Sequence, residues 1–361
     1  MENKNIYLSI IVLVYNTEMY FNNCLDSILS SLEKSDLKDK SEIIVINDGS
    51  KGNITDLIVS YLNKNSDIKF IDKKNTGRGD SRNLGISKAL GKYIHFIDSD
   101  DYIDESLYKD VQSIILNADK ENHNKENDTD LIVFDIEAIT KKGKKSIVYG
   151  KNKDIKDIKE GILNEKILAS SCNKIIKKTL FDNLKYPIHI KYEDLVTIPI
   201  VVMNAKNIVY LNKSYYKYIF SDNSAMRSKF SVDNFNLIEA IELLFNNIDD
   251  LEGINDNIRE DYKYQIFILR IYEDIFEQIM LVKDTLEKAG YIKLLCSKLE
   301  NINYIFDSKI FLNMLSKQSF IKRKCNEDFI KCIKKHKYKK IKFYLNKKMF
   351  YRLIFVNYFL K

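Results

Sequence analysis

The stretch "YIHFIDSDD", residues 93–101, drives an apolar segment straight into acid. Tyr93, Ile94, Phe96 and Ile97 suit a buried strand, and Asp98, Asp100 and Asp101 then fall within four positions. Carboxylates this close repel one another, and burying them unpaired is costly. A bound cation is one way to reconcile them. His95 lies within the strand pattern and reads as a packed residue rather than a catalytic one.

Upstream, strand and helix signals alternate. Ile6 to Tyr15 is a near-continuous apolar run, as expected of a strand covered on both faces. Phe21, Cys24, Leu25, Ile28, Leu29 and Leu32 follow at helix spacing, with Thr17 as the expected N-cap. "EIIVIND" (42–48), a helical pattern from Ile54 to Leu62, "IKFID" (68–72), a helix from Ser81 to Leu90 and "KYIHFID" (92–98) complete the series. Such alternation predicts an α/β fold with a mostly parallel sheet flanked by helices. In these sheets ligands sit beyond the carboxyl ends of the strands. Asn16, Asp48, Asp98 and Asp100 all occupy such ends.

Further on, "DLIVFDIEAI" (130–139), "SCNKIIKK" (171–178), "NIVYL" (207–211) and "SYYKYIF" (214–220) read as strands. Helical patterns dominate beyond Ser231. These signals predict a catalytic domain over 1–228 and a helical C-terminal region over 229–361.

The 361 residues include only 2 Pro and 11 Gly, against long flexible linkers, and 45% are hydrophobic, enough for a sizeable core. Five Cys without a C-x-x-C pair point away from zinc and disulfide frameworks and towards a reducing, cytoplasmic compartment. "IYLSIIVLVY" (6–15) lacks a basic n-region and a cleavage site, so it reads as a strand rather than a signal segment.

Four stretches in fixed order carry more information together than singly: "LVYN" (13–16), "VINDGS" (45–50), "NTGRGDSRNLG" (75–85) and "FIDSDD" (96–101). They resemble the inverting family 2 glycosyltransferases with the GT-A fold, of the bacterial surface-glycan type. "KYED" (191–194) and "YYKYIFSDNS" (215–224) stand where that family carries acceptor-side motifs, so the resemblance spans roughly residues 5–225.

The resemblance implies a nucleotide-sugar donor, a UDP-sugar, and a divalent Mn²⁺ or Mg²⁺ bridging its diphosphate. Hard oxygen ligands suit those ions. In the family's D-x-D motif Asp100 would ligate the metal, and Asp98 would hold the ribose or support the metal. Tyr15 would stack on the base, Asp48 would accept from a base N–H, and Arg82 would pair with phosphate or with Asp98. Gly77 and Gly79 would let the backbone approach the donor, and Val14, Asn16, Asn75 and Ser99 complete the donor-binding set. The acidic pair Glu193 and Asp194 would supply the base that deprotonates the acceptor hydroxyl, with Asp194 favoured; helix capping is the competing role for that residue. Leu13 stands where the family usually has Pro, Ser81 where it often has Ala, and Cys172 where an aromatic is common.

From Ile321 to Lys361 fourteen Lys or Arg face two acids, so this tail alone exceeds the whole chain's net charge of +7. Phe350, Ile354, Phe355, Tyr358 and Phe359 fall on one helix face beside those charges. That combination suits a helix lying on an anionic membrane; the alternative is packing of the aromatics on the protein. No nucleic-acid-binding fold is recognised. The expected function is transfer of one sugar to a growing lipid-linked surface glycan at the inner face of the cell membrane. Alternatives are a protein or soluble acceptor, or a donor-binding subunit without catalysis.

Overall fold

The computed structural model describes residues 5–65, 67–117, 128–140, 145–147, 169–220 and 230–251, with further residues between 259 and 299. The chain divides into two compact units, Met1–Arg227 and Ser228–Lys361.

In the first unit, β1 (Leu8–Val14) and β2 (Ser41–Asp48) are buried at every position, as strands covered on both faces must be. β3 (Ile68–Lys73) and β4 (Tyr93–Asp98) join them, with β2 and β4 flanking β1 and all pairs parallel. The crossovers are α1 (Glu18–Glu33), α2 (Ile54–Leu62) and α3 (Arg78–Lys88). Then come β5 (Tyr102–Ile103), α4 (Leu107–Asn117), β6 (Leu131–Thr140), β7 (Lys145–Ile147), β8 (Lys174–Lys177), α5 (Glu193–Asn204) and β9 (Ile208–Phe220). Among the described residues the strands run β3-β2-β1-β4-β8-β6-β9-β5 across the sheet, with β7 beside β6.

The strand order reverses between β1 and β4, which is where an α/β sheet leaves a crevice at its carboxyl edge. Next to β4 the sheet also changes character, because β8 is antiparallel to both β4 and β6. The expected parallel pattern therefore describes only the N-terminal half of a mixed sheet. "NIVYL" and "SYYKYIF" are one strand, β9, rather than two; a register shift opposite Asp135 absorbs the polar break between them. Thr17 does occupy the N-cap position of α1, but its side chain makes no capping bond. Its hydroxyl lies 2.6 Å from that of Ser99 and so ties α1 to the acidic loop instead.

His95 is packed, as expected. Its Nε2 meets the Cys172 carbonyl at 3.1 Å, so that nitrogen carries the proton and Nδ1 accepts from the Tyr108 hydroxyl at 3.0 Å. Burial lowers its pKa to about 4, which keeps the ring neutral.

In the second unit, α6 (Asn236–Asp249) buries Leu237, Ile238, Ile241, Leu244, Phe245 and Ile248 on one stripe, and α7 (Thr285–Lys298) carries Tyr291. That ring packs 5.1 Å from Phe230. No helix of the described residues is long and apolar enough to cross a membrane. The basic tail from Ile321, with Phe350, Phe355 and Phe359, lies outside the described residues.

Candidate active site

The groups singled out in the sequence gather at the carboxyl ends of β1, β2 and β4 and at the start of α5. Five residues with positive φ mark the same loops among those described: Asn16, Gly49, Gly77, His189 and Tyr192. For non-glycine residues this conformation is costly and persists only where the surroundings enforce it.

The three acids that open the sequence are reconciled in three different ways. Asp101 is buried; its Oδ2 accepts from the Tyr216 hydroxyl at 2.7 Å and its Oδ1 from the Ile219 N–H at 2.8 Å. Burial, then Asp100 and Asp98, hold its pKa well above the ordinary range, so it ties β9 to the loop rather than facing ligand. Asp98 accepts from the Cys172 thiol at 3.4 Å and lies 3.6 Å from the Arg82 guanidinium. Asp100 is different. It is exposed, and no other side chain among those described hydrogen-bonds it. Desolvation and then Asp98 raise its pKa to about 6.

Arg82 is the hub. It has no exposed surface, and its Nη1 reaches Glu193 at 2.5 Å and Asp194 at 3.3 Å. The guanidinium lies over the rings of Tyr186 (5.4 Å) and Phe96 (5.9 Å). Of its two expected partners, Asp98 lies 3.6 Å from its Nη2, beyond hydrogen-bond distance, and Nε and Nη2 are buried without a hydrogen-bond partner. A buried charge needs ion pairing to be tolerable. Arg78, one turn earlier on α3, has a side chain 61% exposed and reaches Glu193 at 3.2 Å. It is the cation that sequence reasoning passed over; its place inside "TGRGD" was the available signal.

The acidic pair splits by burial. Glu193 is 2% exposed and engaged by both arginines, whereas the Asp194 carboxylate keeps 21% of its surface. Asp194 also accepts from Ser171, through the hydroxyl at 2.8 Å and the backbone N–H at 3.2 Å. Of the pair, Asp194 is the one with surface left to solvent.

Tyr15 is 47% exposed, and Asn16 and Asn75 are exposed as well. Val14 and Ser99 are each 1% exposed and lie behind this surface, not on it. Asp48 is likewise turned inward. Its carboxylate accepts from the Thr76 N–H (2.9 Å), the Gly77 N–H (3.0 Å) and the Lys73 ammonium (2.5 Å), and so anchors the loop after β3. That commitment leaves little of it for a base N–H. Gly77, at φ 97° and ψ 164°, needs to be glycine for its backbone alone. Gly79 needs to be glycine because a Cβ would collide with the Pro187 carbonyl, so it lets α3 pack closely on the loop leading to α5.

Among the described residues no three His, Cys, Asp or Glu side chains form a metal cage. Magnesium-type ions bound with phosphates need only one or two carboxylates, the substrate supplying further oxygens. Asp98 and the unpartnered Asp100 fit that half-site.

Residues 9–123 match the family model described as "Glycosyl transferase family 2". They are a family 2 glycosyltransferase domain. The chain is 30% identical over 230 residues to "Glycosyltransferase GlyA" of Streptococcus pneumoniae, which covers 61% of this chain but 31% of GlyA. It is 24% identical over 315 residues to "Glycosyltransferase GlyG" of the same species, covering 78% of this chain and 98% of GlyG. The chain thus spans about a third of one relative and nearly all of the other. A crystal structure of residues 1–349 of Staphylococcus aureus TarS, in complex with UDP-GlcNAc, superposes with a TM-score of 0.72 at 20% identity, over 95% of this chain and 92% of that one. That likeness shows the fold, which is GT-A. TarS itself is described as a poly(ribitol-phosphate) beta-N-acetylglucosaminyltransferase.

Proposed function

We propose that the chain is a metal-assisted inverting glycosyltransferase that moves one sugar from a UDP-sugar to a hydroxyl of a bacterial surface glycan. The observation that carries this reading is that buried Arg82 reaches both Asp98 (3.6 Å) and Asp194 (3.3 Å), with Asp100 two residues beyond Asp98. The family 2 domain supports the reaction class. The relatives named for GlcNAc transfer to poly(ribitol phosphate) favour an N-acetylhexosamine donor and a polyol-phosphate or lipid-linked polymer as acceptor.

Each residue then has a task. Tyr15 stacks on the nucleobase, with Asn16 and Asn75 at the edge of its site. Asp98 and Asp100 would hold Mn²⁺ or Mg²⁺, whose charge stabilises the departing diphosphate. Arg78 is exposed beside them and can swing from Glu193 to a phosphate oxygen; the buried Arg82 keeps Glu193 neutralised when it does. Asp194 takes the proton of the acceptor hydroxyl as that oxygen attacks the anomeric carbon. The bond from that carbon to the diphosphate oxygen breaks, both of its electrons leave with UDP, and the configuration inverts.

A panel of sugar nucleotides tests this, read as nucleotide release with Mn²⁺, with Mg²⁺ and with excess EDTA. The expected result is preferential turnover of a UDP-sugar, abolished by EDTA and by Asp100→Asn in a protein that still unfolds cooperatively. Full turnover in EDTA, or in Asp100→Asn, would overturn the metal role.

A further inference from the structure

Ser171 and Tyr186 belong to none of the motifs that define the donor site, yet they form a buried relay ending on Asp194. Ser171 has no exposed surface and Tyr186 is 1% exposed. The two hydroxyls are 2.7 Å apart. Asp194 accepts from Ser171 at both oxygens: Oδ1 from the hydroxyl (2.8 Å) and Oδ2 from the backbone N–H (3.2 Å). An ionised carboxylate donates nothing, so the Ser171 proton points to Asp194 and the Tyr186 proton to Ser171. Tyr186 is fixed in turn, its ring under Arg82 and its backbone N–H and carbonyl bonded to the Asn83 side chain at 2.9 and 2.8 Å. Lys174, also buried, clamps the same turn by donating to the Ser170 carbonyl and the Asn173 side chain, both at 2.7 Å.

We infer that Ser171, backed by Tyr186, is the positioning residue that aims the Asp194 carboxylate at the acceptor hydroxyl. This deepens the reading of Asp194 as the base and rests on it. A single hydrogen bond would leave the carboxylate free to rotate about its terminal torsion. Two donors from one residue, one to each oxygen, fix its plane, and Arg82 alone cannot do this because its reach to Asp194 is a single 3.3 Å approach. The other charged or titratable groups facing Asp194 are Glu193, Arg78, Lys174, Tyr186 and Cys172. All remain when only the Ser171 hydroxyl is removed.

The test uses the full chain, with the sugar nucleotide that gives the fastest nucleotide release. Ser171→Ala keeps the backbone N–H and deletes one donor; Tyr186→Phe keeps the ring under Arg82 and deletes the donor behind it. Losing a hydrogen bond to a charged group corresponds to about 10- to 100-fold, so Ser171→Ala should lower kcat on that scale with donor KM unchanged. The acidic limb of its pH–rate profile should move to higher pH, because a carboxylate stripped of a donor is more readily protonated. Tyr186→Phe should move the limb the same way by less. In an Asp194→Asn background Ser171→Ala should cost almost nothing further, because the two act as one unit. An unmoved limb together with additive losses would overturn the positioning role while Asp194→Asn alone still showed the base to be correct. Retained activity in Asp194→Asn would overturn the base and this inference together. If Ser171→Ala does not fold, the limb in Tyr186→Phe decides.

Discussion

Glu193 and Asp194 are neighbours with opposite fates, and the difference lies in where one arginine ends. Glu193 lies 2.5 Å from the buried guanidinium of Arg82 and is itself buried. Breaking a buried ion pair by removing one partner costs about 3–5 kcal/mol, because the other charge is left behind. Asp98 and Asp194 still face Arg82, so Glu193→Gln should sit at the low end, about 3 kcal/mol in urea unfolding. Asp194→Asn should instead lose ~10²–10⁴-fold in kcat, keep UDP affinity, and cost much less stability. A Glu193→Gln protein of normal stability but no turnover would exchange the two roles.

At the scale of the element, the loop after β3 is built by Asp48. It holds the N–H groups of Thr76 and Gly77 at the mouth of α3, where Arg78 begins the helix. Hydrogen bonds to charged groups are each worth about 1.5–3 kcal/mol, so Asp48→Asn, which keeps one acceptor oxygen, should cost roughly 1–2 kcal/mol. If the residue anchors the loop, affinity for UDP and for GDP should fall together when measured by calorimetry. A selective loss of uracil over guanine would show instead that Asp48 reads the base. The same geometry explains why two glycines stand close together here: Gly77 for its backbone conformation and Gly79 for the Pro187 carbonyl against it.

For the whole molecule, the distinguishing feature is the uneven distribution of charge. Fourteen basic residues follow Phe320, more than the entire net charge. Each Lys or Arg near an anionic bilayer contributes about 1 kcal/mol, screened within a Debye length. The full chain should therefore co-sediment with vesicles containing anionic lipid, less so in high salt. Replacing Lys331, Lys334, Lys335, Lys337, Lys339 and Lys340 by Gln should reduce that binding with donor hydrolysis unchanged. Equal binding to neutral vesicles, or no change in the Gln variant, would reject electrostatic docking. A surface-glycan acceptor gives such docking a use, since a lipid-linked substrate is confined to the membrane plane.

By itself the sequence determined the first half of the fold. Apolar runs such as 42–48 and helix-spaced leucines are local patterns, and a strand buried on both faces has almost no other way to be written. It also placed Asp98 and Asp100 at the end of a strand and Glu193 and Asp194 at the start of a helix, as β4 and α5 have them, because strand ends and helix starts are local signals. It could not say which way they face. Asp48 and Ser99 carry the same residue types whether they meet a ligand or the protein's own amides and hydroxyls, and only tertiary structure turned both inward. It also decided that 208–220 is one strand, since a register shift depends on the neighbouring strand. Ser171 and Asp194 are 23 residues apart with no periodicity linking them. Their contact exists because the turn before β8 meets the start of α5, a long-range consequence that local spacing does not encode.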